Sequence, residues 1–123
     1  MIASLSAGCV TGSSNLKLVT TMSDNRGFYV DEESIVTDGS TRRFRLVIDL
    51  PSAAEDGTKS RLSFEEADCD AMRSRSLEES IFNGPLATGT VMRESKIASE
   101  WSGDAKGMPM YTVLEYVCKA APR

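Results

Sequence analysis

The chain has 123 residues, which suits one domain with a small core. Its 18 acidic and 14 basic residues leave a net charge of -4, so generic affinity for nucleic-acid phosphates is not expected. Histidine is absent, which removes Ser-His-Asp and Cys-His nucleophiles and most zinc sites, and no stretch reaches the ~20 apolar residues of a membrane span.

The first residues, Met1 to Cys9, have small residues and an apolar stretch but no basic start. They read as the truncated tail of a secretion signal, and Ala7-Gly8-Cys9 resembles a bacterial lipobox with Ser6 where leucine is usual. Lipidation of Cys9 would explain an odd cysteine among three; a mis-set start with an incidental cysteine is the alternative. Val10 to Asn15 reads as a Gly/Ser/Thr tether. Residues 1–15 are thus signal remnant and tether, and 16–123 form one domain.

Leu16 to Met22 is a first strand, and Ser23 to Gly27 a turn. Phe28-Tyr29-Val30 completes a hairpin. Asp31 to Ile35 reads as a helical turn, because Asp31 can cap it and two glutamates favour its N-terminal end. After Asp38-Gly39, Thr41 to Leu50 alternates: Phe44, Leu46, Ile48 and Leu50 on one face, Arg43, Arg45, Val47 and Asp49 on the other. Ser60 to Asp70 is a fourth strand, Arg73 to Asn83 a fifth, and Thr88 to Glu94 a sixth after the Asn83-Gly84-Pro85 turn. Ser95 to Pro109 is irregular, with Trp101 as its one large hydrophobe. Pro109 starts a helix in which Tyr111, Leu114 and Cys118 share a face, flanked by Met110, Val113 and Val117.

Short sequential strands joined by turns imply an antiparallel meander, and the terminal helix must bury its stripe on that sheet. The fold class is α+β. Cys69 and Cys118 end a strand and a helix; they form either a strand–helix disulfide, outside the reducing cytosol, or two buried free thiols. Closing a loop of roughly 50 residues would stabilise by about 4 kcal/mol in the chain-entropy picture.

The ordered blocks resemble the surface-adhesin protein E family of bacterial lipoproteins. They are Phe28-Tyr29-Val30-Asp31 with Ser34-Ile35, the Arg43 to Asp49 strand, and Ser60 followed by Glu66 and Asp68-Cys69. Arg73-Ser74-Arg75, Gly84-Pro85, the lone Trp101 and Leu114-Glu115-Tyr116-Val117-Cys118 follow in order. The chain departs in the first strand, where the family often has a tryptophan, and in the approach to the helix. The resemblance implies a six-stranded antiparallel sheet with a C-terminal helix, tied by one disulfide. It also implies a lipid-anchored envelope protein, in the outer membrane or periplasm. Its best-known member binds host extracellular-matrix and serum proteins.

Arg42, Arg43 and Arg45 cluster on one strand, and Lys59 and Arg61 on the next can extend a basic stripe for an acidic partner surface or anionic head groups. Their alternative is a solvated face paired to carboxylates. Trp101 is either a contact residue or a plug for its loop. Glu65, Glu66, Asp68 and Asp70 alternate across a strand and do not converge on a cation, and Glu78-Glu79 fails as an acid/base pair for the same reason. The expected function is a protein-binding envelope module without cofactor, metal or enzymatic activity, attached to membrane through lipid only. The runner-up is a periplasmic domain for a small ligand or for inhibiting an envelope enzyme.

Overall fold

A computed structural model describes residues 15–120. The strands are β1 (Leu16–Thr21), β2 (Gly27–Asp38), β3 (Thr41–Asp49), β4 (Ser60–Asp68), β5 (Arg73–Phe82), β6 (Val91–Ser95) and β7 (Ser102–Gly103). The helix α1 (Pro109–Lys119) follows, with Ala120 as its C-cap. The strands run antiparallel in sequence order β1 to β6, and β7 also pairs β5. The fold is therefore the α+β meander with a terminal helix. Trp101 leads into β7, so its segment is not wholly irregular: Ser99 N–H donates to Ser76 O, and β7 meets Arg73 and Ser74.

Alternation on β3 sorts the sheet into two faces. Phe44 and Leu46 face α1 and meet Phe28, Val30, Ile35, Ala67, Val113, Leu114 and Val117 in one core. The buried stripe of the helix is thus Val113-Leu114-Val117, with Tyr111 at its margin rather than at its centre. Pro109 occupies the first turn, where a missing N–H costs nothing. The disulfide joins Cys69, just after β4, to Cys118 with Cα atoms 5.8 Å apart, within the usual reach.

The stretch Asp31 to Ile35 belongs to β2, not to a helical turn. The β2–β3 register slips between Asp31 and Val36: four residues of β2 bulge out against one of β3. The turn signals are real but local. Glu33 N–H donates to Asp31 Oδ1 and Ser34 Oγ to Asp31 O, and both fit inside a bulged strand. Ser34 Oγ also accepts the Arg45 N–H, which stitches the bulge to β3. The bulge drops Ile35 into the core and brings Glu32 to the Tyr116 hydroxyl of α1.

The sixth strand starts at Val91, later than the sequence suggests, because Pro85–Ala87 forms a 3-10 turn. Leu86 and Ala87 hold φ of 51° and 62°, a left-handed conformation that costs non-glycine residues energy. Hydrogen bonds hold it there: Leu86 N–H donates to Asp49 Oδ1, and Ala87 N–H to Ser60 Oγ. Gly89 closes the turn at φ 85°, where a side chain would also strike Asn83 Oδ1 at 2.5 Å.

Candidate partner-binding surface

The face of the sheet away from α1 is built from cross-strand rows, since directly opposed residues share a face. One row reads Arg43–Glu66–Arg75. The next toward the disulfide reads Thr41–Asp68–Arg73. Toward the other end comes Leu16–Asp31–Arg45–Phe64–Glu78, then Val47–Leu62–Ser80.

Glu66 is the electrostatic centre of this face. Its side chain is 8% exposed. Arg43 Nε donates to its Oε2 at 3.2 Å, and Arg75 donates to its Oε1 at 2.8 Å. Burial opposes its ionisation, but Arg75 and Arg43 outweigh burial and hold the carboxyl below its usual range. Arg75 does not stop there: its guanidinium lies 4.8 Å from the Trp101 ring centroid, and that of Arg73 lies at 4.9 Å. Arg73 in turn pairs with Asp68 at 3.2 Å. The result is a chain of contacts, Arg43, Glu66, Arg75, Trp101, Arg73, Asp68. It fixes a half-buried tryptophan on a charged sheet face, with each cation–π contact worth about 0.5–1 kcal/mol.

Beside this chain lies a cleft of about 390 Å³. Val47, Leu62, Phe64 and Phe82 supply an apolar floor, and the strained Leu86-Ala87 turn makes one wall. Arg45 and Glu78 stand at its rim. Arg45 is exposed, and among the described residues it has no ion pair.

The basic residues singled out in the sequence do not form one stripe. Arg43 and Arg45 share the open face with Trp101. Arg42 lies on the other side and caps the helix: its Nε and Nη2 donate to Val117 O and Cys118 O at 3.2 and 3.3 Å. Lys59 is half-buried and pairs Asp49 at 3.1 Å while donating to Leu50 O. Arg61 opposes Ile48 and so lies on the face that carries α1. Cys9 lies outside the described residues. Sequence reasoning missed Arg73, Arg75 and Glu66 as a unit. The signal that points to them is the Arg-x-Arg at the start of β5, two side chains on one face opposite Asp68 and Glu66.

No helix among the described residues is long and apolar enough to cross a membrane. No group of His, Cys, Asp or Glu among them is arranged to hold a metal ion. No curated protein matches the chain. Solved structures do. Crystal form II of Haemophilus influenzae protein E superposes with a TM-score of 0.70 at 13% identity, covering 87% of this chain and 89% of that one. Protein E from non-typeable Haemophilus influenzae gives 0.62 at 16% identity, covering 87% and 77%. At such identities the likeness speaks for the fold. The model of the family described as surface-adhesin protein E matches residues 17–119, nearly the whole described sheet and helix. The chain therefore belongs to the surface-adhesin protein E family.

Proposed function

We propose that this protein is an envelope-anchored adhesin module that binds a protein partner, of the host matrix or serum class, through the open face of its sheet. One observation carries this: Trp101 is held over two arginines on the same sheet face that carries an apolar cleft with Arg45, which has no ion pair among the described residues, at its rim. A fixed aromatic beside arginine and apolar floor is the composition of binding hot spots. The surrounding charges suit steering and register more than raw affinity. The anchor in this reading is a lipid on Cys9, with Val10 to Asn15 as tether and the outer membrane as the favoured membrane, since Val10 follows the cysteine.

Immobilised matrix and serum proteins provide the test. Once a partner is captured, Trp101→Ala should weaken binding by about 2 kcal/mol or more, ~30-fold. Arg45→Ser should slow association at low salt and converge with the native chain at high salt. Native kinetics in both variants would move the binding site off this face. Cys9→Ser should release the protein from the membrane fraction; unchanged fractionation counts against the anchor.

A further inference from the structure

The ion pairs of the open face leave two charges over. Arg43, Arg73 and Arg75 each hold a carboxylate within 3.2 Å. Arg45 and Glu78 are exposed and have no ion pair among the described residues. They stand in one cross-strand row on either side of Phe64, two strand spacings apart, about 9–10 Å. The other carboxylates along the cleft are engaged elsewhere. Asp31 Oδ1 accepts the Glu33 N–H at 3.1 Å. Glu79 opposes Ser63 on the helix face and lies 3.8 Å from Arg61.

A bulge sets this arrangement. Counted from the β4–β5 turn, where Asp68 opposes Arg73, Phe64 would oppose Leu77. The register slips between Glu65 and Phe64, and Glu78 stands there instead. Bulges re-aim side chains, often beside functional sites. From Glu78 the row runs through Phe64 and Arg45 to Asp31 and Leu16 at the sheet edge. All five line the cleft, so it crosses five strands, about 19 Å.

We propose that the cleft receives one face of an amphipathic helix supplied by the protein partner: its apolar side chains settle on Phe64 and Leu62, an acid meets Arg45 and a base meets Glu78. This rests on the reading of the open face as the partner surface and names the element of the partner that docks there. Helix geometry fits the row. Residues i and i+7 share a face about 10.5 Å apart, with i+3 and i+4 between them, and these are the anchors of helix-in-groove recognition. In an extended segment i and i+4 lie about 13 Å apart, and its N–H and C=O groups find no partners over the middle of a sheet, where the ladder uses them. A free acyl chain would leave both charges unmet. The sheet already takes a helix across its strands on the other face, where α1 touches β1, β2, β3 and β5.

The test uses the full chain and, as probe, a synthetic peptide of about four helical turns, stapled on its outer face, with Glu, Leu, Leu and Lys at i, i+3, i+4 and i+7. Calorimetry should show binding to the native chain. Glu78→Lys should weaken it about tenfold or more, as loss of a charge-assisted contact implies, and make a peptide with Glu at both ends the better ligand. Arg45→Glu should do the same in favour of Lys at both ends. Both side chains are exposed, so neither change disturbs the core. No binding by the native chain, or one affinity for all three proteins, overturns the proposal. Equal binding of a proline-broken peptide with the same side chains overturns the helix. A captured matrix or serum protein separates this inference from the reading beneath it. Weakening by Trp101→Ala but not by Glu78→Lys overturns the docked helix and keeps the open face; weakening by neither overturns both.

Discussion

The same strands present two different surfaces, and the contrast lies in how each treats its charges. On the helix side of β3, Phe44 and Leu46 meet Leu114 and Val117 in a dry core. One residue along, Arg43 on the other side reaches Glu66, a nearly buried carboxylate that a second arginine also binds. The covered face gains its stability from area removed from water. The open face gains order from a contact chain that runs through Trp101 to Asp68. Such a chain adds little energy per link but fixes where each side chain sits, which is what a recognition surface requires.

The largest expected effect tests whether the open face holds a second core. Leu114 is fully buried under the helix, and Val47 is 2% exposed on the opposite face beneath the apolar cleft. Leu114→Ala should cost about 2–5 kcal/mol in denaturant unfolding. Val47→Ala removes two buried carbons and should cost about 1.5 kcal/mol. Equal losses would mean that the cleft floor is a core of the same standing as the helix interface, and not a surface left open for a partner.

The next effect concerns the carboxylate itself. Glu66→Gln leaves Arg43 and Arg75 without their anion and loosens Trp101. The pair is partly exposed on the arginine side, so the cost should be about 1–2 kcal/mol rather than that of a fully buried pair. The sign with pH follows from the lowered pKa. The stabilisation is present above the unfolded-state value of about 4.5 and is lost as pH falls through the lower folded value. Native and variant melting curves should therefore differ at pH 7 and converge in acid, and tryptophan fluorescence should shift in the variant at neutral pH. A variant with native fluorescence and native stability would detach Trp101 from the ion-pair chain.

Much of the covered face was legible in the sequence. Alternation on β3, the presence of the helix though not the centre of its stripe, and the two cysteines are signals of period and position that survive without tertiary information. The open face was legible only in part. Arg43 and Arg45 follow from alternation, but the partner of Arg43 depends on register. The β4–β5 register shifts between Phe64 and Glu65, and no local pattern fixes that shift. Asp31 to Ile35 misleads for a related reason: cap-like hydrogen bonds form within a few residues in either a helical turn or a bulge, and the neighbouring strand decides. Arg42 shows the limit from the other side, since its role requires knowing where α1 ends in space.

The smallest effect sets Glu65 against Glu66, adjacent residues on opposite faces. Glu65 faces the core side, 5% exposed, opposite Phe44. Burial pushes its carboxyl above the usual range; Ser76 and Ser63 hydroxyls and Arg61 offset this in part, and Glu79 adds to it. The folded state thus holds this proton more tightly than the unfolded chain does. Its contribution to stability is full below the unfolded-state value of about 4.5 and is lost as pH rises through the raised folded value. Glu65→Gln keeps an acceptor for the Ser76 hydroxyl, which lies 2.6 Å from Oε2, and removes the charge. It should raise stability slightly at pH 7 and leave it unchanged in acid, the mirror image of Glu66→Gln. Melting curves of the two variants at pH 7 and in acid below both folded values decide the matter. If both glutamines shift stability in the same direction at pH 7, the two faces do not treat their carboxylates differently, and the contrast between a dry core face and an ion-paired recognition face fails at its centre.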